Sequence, residues 1–272
     1  MKIQKSKDPS KDSGVKTDGP SSQEQPIQKV ANAASQAVRS ESAPAPVRRY
    51  RAIMFQTGLV ITAVAFAILA YLVKFTPSFQ VDLTITQTIQ RINIPFFGFV
   101  MDLISWIGFG PQVFIITVLI GLVVYGLGLH WEAVMVVLAA VLSSSINVLV
   151  KDLVQRPRPT AALVNVFSSL SSYSFPSGHV MYFLGVFGFL MFLTFSLLKP
   201  SLKRSVILIF FGILIVLIGI SRVYMGQHWA SDVLGSYLLG SLTLVAIIQI
   251  YRWGKTRFFV HQPAAANGAQ PA

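Results

Sequence analysis

The sequence contains no cysteine, and few of its residues carry a charge. Without cysteine the chain cannot form a disulfide framework, a thiolate nucleophile or a Cys-ligated zinc site. Charged residues make up 12% of the 272 positions, whereas a soluble domain has about a quarter. Hydrophobic residues make up 53%, and the mean hydropathy is +0.63. This composition predicts a helical membrane protein.

Acidic side chains are the scarcest charged group. From Ala52 onward there are twelve basic residues and five acidic ones, and the whole chain has a net charge of +12. The basic residues flank apolar runs and form no patch interleaved with aromatic residues, which disfavours a nucleic-acid partner. An anionic membrane surface or an anionic substrate remains as the partner of such a basic chain. The five acidic residues are Asp82, Asp102, Glu132, Asp152 and Asp232.

Two tails flank the apolar region. Residues 1–51 hold ten basic and five acidic side chains, are rich in Lys, Ser, Gln, Pro and Ala, and lack a periodic apolar pattern. Such a segment buries too little surface to offset its ordering entropy, so we predict a disordered basic cytoplasmic tail. Residues 254–272 are predicted to form a short second cytoplasmic tail, which leaves residues 52–253 as the membrane domain.

Six apolar segments are long enough to cross a bilayer, which requires about 17–25 helical residues. Because lipid offers no hydrogen bonds to the backbone, each segment is predicted to be a helix. The connection over 74–111 carries isoleucines at helical spacing and then a second apolar stretch, so we expect one or two interfacial helices there. The predicted fold is an all-α polytopic membrane protein with six transmembrane helices. The segments are 53–73, 112–129, 132–150, 179–198, 205–221 and 233–251.

The basic residues between these segments predict the orientation, because cytoplasmic loops carry an excess of Lys and Arg. With the N-terminus inside, ten such residues fall on the cytoplasmic side and six on the outer side. Both termini are therefore expected to be cytoplasmic, and the short, simple domain is typical of a bacterial inner (plasma) membrane protein. The inner residues are Arg39, Arg48, Arg49, Arg51, Lys199, Lys203, Arg204, Arg252, Lys255 and Arg257, and the outer ones are Lys74, Arg91, Lys151, Arg156, Arg158 and Arg222.

Three polar segments lie at the ends of different predicted helices. They are K-D-L-V-Q-R-P-R-P over 151–159, F-P-S-G-H over 175–179 and S-R-V-Y-M-G-Q-H-W-A-S-D over 221–232. Because the third and fifth spans both run outward, all three segments emerge at the outer face. Ionisable residues gathered at one membrane boundary predict a functional site there.

The cations of these segments suit a phosphate group, since a transferred phosphoryl group needs several positive donors around its oxygens. Lys151, Arg158 and Arg222 supply that charge, and Arg can bind phosphate through two parallel hydrogen bonds. Ser177 and Gly178 are predicted to open a helix, whose free N–H groups and positive dipole end favour an anion.

The histidines suit the chemistry at such a group. His228 and Asp232 are four residues apart and lie on one face if that segment is helical. A carboxylate in that position fixes the imidazole tautomer and raises its nucleophilicity. His179 remains as the general acid for the leaving oxygen.

The three segments closely resemble the signature of the type 2 phosphatidic acid phosphatase superfamily, which reads K-x6-R-P, P-S-G-H and S-R-x5-H-x3-D. Every signature position matches, and the resemblance extends over about 53–251. It implies a phosphatase that works without a metal or other cofactor. It also implies that His228 attacks phosphorus to form a phosphohistidine, that Asp232 orients it and that His179 protonates the leaving alkoxide. The residues implied to hold the phosphate are Lys151, Arg158, Ser177, Gly178 and Arg222.

The implied reaction is hydrolysis of a lipid phosphate or lipid diphosphate, because a site at the outer interface admits a headgroup from the side. Undecaprenyl diphosphate, phosphatidylglycerophosphate, phosphatidic acid and lipid A phosphates all fit, and the motifs do not choose among them or indicate the oligomeric state. A phosphotransferase shares every motif and stays open as an alternative. Haloperoxidase chemistry with vanadate is disfavoured because those relatives are soluble, and a transporter is disfavoured because no internal repeat is evident.

Arg156 lies between two residues of the first motif but falls outside the signature. The simplest interpretation of this arginine is a contact with lipid headgroups, its stem lying along apolar surface. A direct contact with the substrate is the alternative.

Overall fold

The computed structural model describes residues 45–168 and 170–259, and this part of the chain is entirely helical, as predicted. The rest of the two predicted tails, 1–44 and 260–272, lies outside the described residues. Residues 45–51, predicted to belong to the first tail, form the start of a helix. The tail prediction is wrong there, because good helix formers such as Arg extend an apolar helix at little cost.

The helices are α1 (Ala45–Phe75), α2 (Gln80–Gln90), α3 (Pro95–Ile107), α4 (Gly110–Gly126), α5 (His130–Val154), α6 (Gly178–Leu197), α7 (Leu202–Tyr224) and α8 (Ala230–Gly254), with a π-helical turn at Lys255–Phe259.

Five of the described helices, α1, α5, α6, α7 and α8, are long and apolar enough to cross a membrane. The predicted span over 112–129 corresponds to α4, which follows α3 at a bend of 72°; the two helices meet the length and composition of a span only as a bent pair. The described residues up to Gln56 and those from Thr57 form two units, and every predicted site residue belongs to the second. The prediction of an all-α polytopic membrane fold is confirmed.

The long connection after α1 contains the two helices that its isoleucine spacing and apolar stretch predicted. Asp82 lies in the first turn of α2 and accepts a hydrogen bond from the Phe79 N–H at 3.3 Å, which closes the start of the helix. α3 begins with Pro95 at its first position, where the missing N–H is no loss. α2 packs against α7 and α8, and α3 packs against α7. The connection therefore lies against one end of the bundle.

The bundle is centred on α6, which packs against α5, α7 and α8. This helix is apolar on every side, as a helix surrounded by others must be. Phe183 and Phe189 are fully buried within the main apolar core. Because α6 is held from three sides, the position of its first turn is fixed relative to the neighbouring helices.

The chain leaves α5 sharply. Gln155 adopts the left-handed conformation with φ 59°, and Pro157 and Pro159 prevent the helix from continuing. The Ser174 N–H then donates to the Arg156 carbonyl at 2.8 Å, which returns the loop towards the start of α6. The ends of α5 and α7 and the beginnings of α6 and α8 thus meet at one end of the bundle.

Candidate active site

Two of the predicted cations lie at the end of α5 and in the loop after it. The Lys151 ammonium donates to the Tyr173 carbonyl. The Arg158 guanidinium donates to the carbonyl of Ser172 at 2.6 Å and to that of Gln227 at 2.6 Å. These contacts with the backbone of distant segments hold both positive charges at the same end of the bundle.

The third cation, Arg222, is fully buried in the last turn of α7. Its Nη1 donates to the Ser105 hydroxyl, and its guanidinium lies 5.7 Å from the centre of the Phe109 ring. The Nε and Nη2 atoms have no hydrogen-bond partner. A buried guanidinium with unpaired donors is costly unless an anion completes it.

His228 is 1% exposed and lies between a cation and a carboxylate. Its Nε2 is 3.2 Å from Arg158 Nη1, and its Nδ1 is 3.6 Å from Asp232 Oδ2. Because a guanidinium can only donate, Nε2 is the acceptor and the proton of the neutral ring is assigned to Nδ1. The Nδ1–H therefore faces Asp232, and the Nε2 lone pair faces the cations.

The pairing of these two residues differs from the predicted one. His228 precedes α8, whose N-cap is Trp229, so the two side chains do not lie on one helical face. Asp232 instead occupies the third position of α8 and accepts the Trp229 N–H at 2.9 Å. An acidic residue there also interacts favourably with the positive end of the helix dipole.

The surroundings of His228 keep it neutral. Burial lowers the pKa of this imidazole well below its usual value, and the positive charges of Arg158, Lys151 and Arg222 lower it further. Burial also lowers the pKa of Arg158, an effect that the charge of Asp232 partly offsets. A neutral imidazole retains the lone pair that a nucleophile requires.

His179 lies in the first turn of α6 and is held by the bend between α3 and α4. Its ring meets the Phe109 ring edge-on, with centroids 5.1 Å apart and an interplanar angle of 86°. A Cβ at Gly108 would lie 2.1 Å from His179 Cδ2, so only glycine permits this contact. Its Nε2 has no hydrogen-bond partner, and the ring is close enough to His228 to interact with it electrostatically.

The first turn of α6 differs in one respect from the predicted anion site. The Ser177 N–H donates to the Ser236 hydroxyl at 2.7 Å, so this amide is not free. The Ser177 hydroxyl itself is buried without a partner. A Cβ at Gly178 would lie 3.1 Å from Asn147 Oδ1, so a larger residue there would crowd the Asn147 side chain. The predicted contribution of this turn is thus reduced to the serine hydroxyl and the amides that follow it.

Arg156 contradicts both interpretations given to it. Its side chain is fully buried away from lipid, and its guanidinium is engaged by acidic side chains rather than free to bind a substrate. Its Nη1 lies 2.6 Å from Asp232 Oδ1 and its Nη2 lies 2.9 Å from Asp82 Oδ2. Two carboxylates in a dry interior require such a cation. Sequence reasoning missed this role, although a lone acidic residue in an apolar region, such as Asp82, signals a buried partner.

The same network fixes the orientation of the Asp232 carboxylate. Its Oδ1 is paired with Arg156, while its Oδ2 accepts from the Ser174 hydroxyl and faces His228. Asp82 accepts the N–H of Ser231 at 2.9 Å and its hydroxyl at 2.7 Å, which ties α2 to the start of α8. With both oxygens engaged, the carboxylate is held rigidly beside the imidazole.

The unpartnered polar atoms of the predicted site belong to four residues of two polar segments, 175–179 and 221–232. Besides the Arg222 donors they are Ser177 Oγ, His179 Nε2 and His228 Nδ1. His228 Nδ1 faces Asp232, but the other donors, together with the three nearby cations, suit a tetrahedral oxyanion. Within the described ranges, no three His, Asp or Glu side chains come together as ligands of a metal ion.

Comparison with known proteins identifies relatives of one family. The model of the PAP2 superfamily matches residues 132–255, a range that contains every predicted site residue. Phosphatidylglycerophosphatase B of Bacillus subtilis is 32% identical over 179 residues, which is 65% of this chain and 86% of that protein. Dolichyldiphosphatase 1 of Plecturocebus moloch is 29% identical over 168 residues, covering 58% of this chain and 68% of the relative.

Two solved structures are similar in fold. The transmembrane PAP2-type phosphatidylglycerolphosphate phosphatase from Bacillus subtilis superimposes with a TM-score of 0.64 at 28% identity, covering 74% of this chain and 98% of the other. LpxE of Aquifex aeolicus gives a TM-score of 0.50 at 22% identity, covering 64% and 98%. At 22% identity, the similarity to LpxE shows a shared fold only.

Proposed function

Because this chain belongs to the PAP2 superfamily and is an integral membrane lipid phosphatase, we propose that it hydrolyses a lipid phosphate or diphosphate through a phosphohistidine on His228, without a metal. The observation that carries the proposal is the position of His228 between Arg158 and Asp232. In this position the neutral imidazole directs its Nε2 lone pair towards three cations and its Nδ1–H towards a fixed carboxylate.

In the proposed complex the scissile phosphate lies among Lys151, Arg158 and Arg222. Arg222 already has two unpaired donors, and the Ser177 hydroxyl and the Gly178 amide add neutral ones. Arg158 Nη1 lies 3.2 Å from His228 Nε2. A bound phosphate oxygen takes over this donor, which frees the Nε2 lone pair for attack.

The first step forms the Nε2–phosphorus bond as the bond from phosphorus to the leaving oxygen breaks. The leaving oxygen keeps the electron pair and takes a proton from the imidazolium form of His179, whose Nε2 is free of other partners. The imidazole becomes positively charged as it attacks. Asp232 stabilises that charge through Nδ1–H, and Arg156 keeps the carboxylate in place.

The second step is hydrolysis of the phosphohistidine. Water attacks phosphorus and gives a proton to His179, which the first step left deprotonated. The nitrogen–phosphorus bond breaks, inorganic phosphate leaves and His228 regains its neutral form. The histidine pair thus returns to its starting protonation states after each turnover.

We place the site at the outer face of a bacterial inner membrane, with both termini in the cytoplasm. The support is the excess of Lys and Arg in the loops of the opposite side. The lipid then enters sideways from the outer leaflet. The relatives act, by their names, on phosphatidylglycerophosphate and dolichyl diphosphate, which supports a lipid substrate for this chain and leaves its headgroup open.

The test uses purified protein and lipid vesicles that contain one labelled lipid phosphate or diphosphate at a time, with and without a chelator. We expect inorganic phosphate as the labelled product and equal rates with chelator. Label that moves to a second lipid would instead indicate a phosphotransferase. A strict requirement for added magnesium would contradict the metal-free mechanism.

Two variants provide the matched comparison. His228→Ala removes the nucleophile and should abolish phosphate release in a folded protein. His130→Ala removes an exposed histidine of the other end of the bundle, where α5 begins, and should retain the wild-type rate. Equal activity of the two variants would exclude His228 as the nucleophile.

A further inference from the structure

A cavity of about 540 Å³ adjoins the proposed phosphate site, between α3, the end of α7 and the loop at Phe167 and Ser168. We name it the α3 cavity. Ser105 and Phe109 line it, and these residues also hold Arg222 and pack against His179. Its volume is in the range of pockets that bind small organic groups.

The position of the general acid indicates which part of the substrate enters this cavity. His179 protonates the leaving oxygen, so the leaving group lies on the side of His179. That ring is packed against Gly108 and Phe109, the residues at the bend beside the cavity. The portion of the lipid next to the scissile ester therefore occupies the α3 cavity.

The polar groups among the described residues that line the α3 cavity are one carboxylate, one amide and three hydroxyls, with no cation; they belong to Asp102, Gln227, Ser105, Ser168 and Tyr224. Gln227 lies at its wall, donates its amide to Ser168, and leaves Oε1 buried without a partner. Asp102 carries the only charge among the described residues that line the cavity. An unpaired carbonyl oxygen favours a hydroxyl donor, whereas a carboxylate without a neighbouring cation repels a phosphate.

We propose that the α3 cavity selects a lipid phosphate whose leaving alcohol carries a free hydroxyl beside the ester, and discriminates against a lipid diphosphate. Gln227 Oε1 accepts the hydroxyl. In a lipid diphosphate the second phosphate is attached directly to the scissile one and brings up to about two negative charges to the cavity. The negative charge of Asp102 repels that second phosphate. This inference rests on the proposed lipid phosphatase reaction and names the class of substrate for it.

The test compares three substrates in the same vesicles: phosphatidylglycerophosphate, which has such a hydroxyl, phosphatidic acid, which lacks it, and undecaprenyl diphosphate. We expect the wild-type kcat/KM to be highest for the first, by about fivefold over phosphatidic acid, the effect of one neutral hydrogen bond. Equal values for the first two, or a higher value for the diphosphate, would overturn the selection while the phosphatase reaction stands. Absence of phosphate release from all three would overturn both.

The variants assign the selection to named side chains. In Gln227→Met the ratio of kcat/KM for the hydroxylated substrate to that for phosphatidic acid should fall to about one. In Asp102→Asn the kcat/KM for the diphosphate should rise relative to that for phosphatidic acid. Gln112→Met is the matched control, because Gln112 also has a buried Oε1 without a partner and does not line the α3 cavity. A preference that persists in Gln227→Met, or falls equally in Gln112→Met, would refute the role of Gln227.

Discussion

Replacing Arg156 by methionine should destabilise the protein and impair catalysis together. The substitution keeps much of the apolar volume but removes the guanidinium that pairs with Asp82 at 2.9 Å and with Asp232 at 2.6 Å. Both carboxylates and the arginine are at most 1% exposed, so water cannot replace the lost partner. Removal of one partner of a buried ion pair costs about 3–5 kcal/mol.

The assay is thermal unfolding of the purified protein in detergent, with kcat measured on the same samples. For a chain of this size about 1 kcal/mol corresponds to about 2–4 °C, so we expect Tm to fall by about 6–20 °C. We also expect kcat to fall at temperatures where the variant is folded, because Asp232 is no longer held beside His228.

Arg252→Met is the control for this measurement, since Arg252 is exposed on α8 and takes part in no ion pair within the described residues. It should leave Tm within about 2 °C of the wild type. A second substitution, Asp82→Asn, removes one of the stranded charges and should restore part of the loss caused by Arg156→Met. An unchanged Tm in Arg156→Met would refute the argument from the buried network.

Two further predictions concern the histidines. Arg158→Gln removes a positive charge that lowers the pKa of His228, so the pKa of His228 should rise in this variant. With a soluble phosphomonoester as substrate, the acid limb of the pH profile of kcat/KM should therefore move to higher pH. An acid limb at the wild-type pH or lower would contradict this. Gly108→Ala places a methyl group 2.1 Å from His179 Cδ2 and should lower kcat about 10- to 100-fold. The control is Gly126→Ala, whose methyl group meets nothing within 4 Å and should leave kcat unchanged. Equal rates in both variants would show that the bend does not position His179.

Much of this fold follows from local properties of the sequence. Apolar segments of bilayer length can be counted directly, and the direction of each span then follows from the count. That is why the motifs at Lys151, Ser177 and Arg222 could be expected at one end of the bundle before any contact was known. The start of α1 was missed because residues 45–51 contain a proline and three arginines, and their helicity depends on the apolar helix that they extend.

The parts that sequence reasoning missed depend on pairs that are far apart in the chain. The ion pair of Arg156 with Asp82 joins a loop to α2, and no periodic pattern marks either residue. The contact of Gly108 with His179 depends on the bend of 72° between α3 and α4, which composition does not reveal. The pairing of His228 with Asp232 was expected on a helical face, but it arises across the start of α8.

The central claim is that His228 becomes covalently phosphorylated during turnover. The direct measurement is rapid quenching of the enzyme with a substrate labelled in its scissile phosphate, followed by location of the label on the protein. We predict label on His228 that is stable in base and released by acid, with none on the His228→Ala protein and wild-type labelling of His130→Ala. Label that never attaches to the protein while inorganic phosphate is released, or that attaches equally in His228→Ala, would contradict the mechanism.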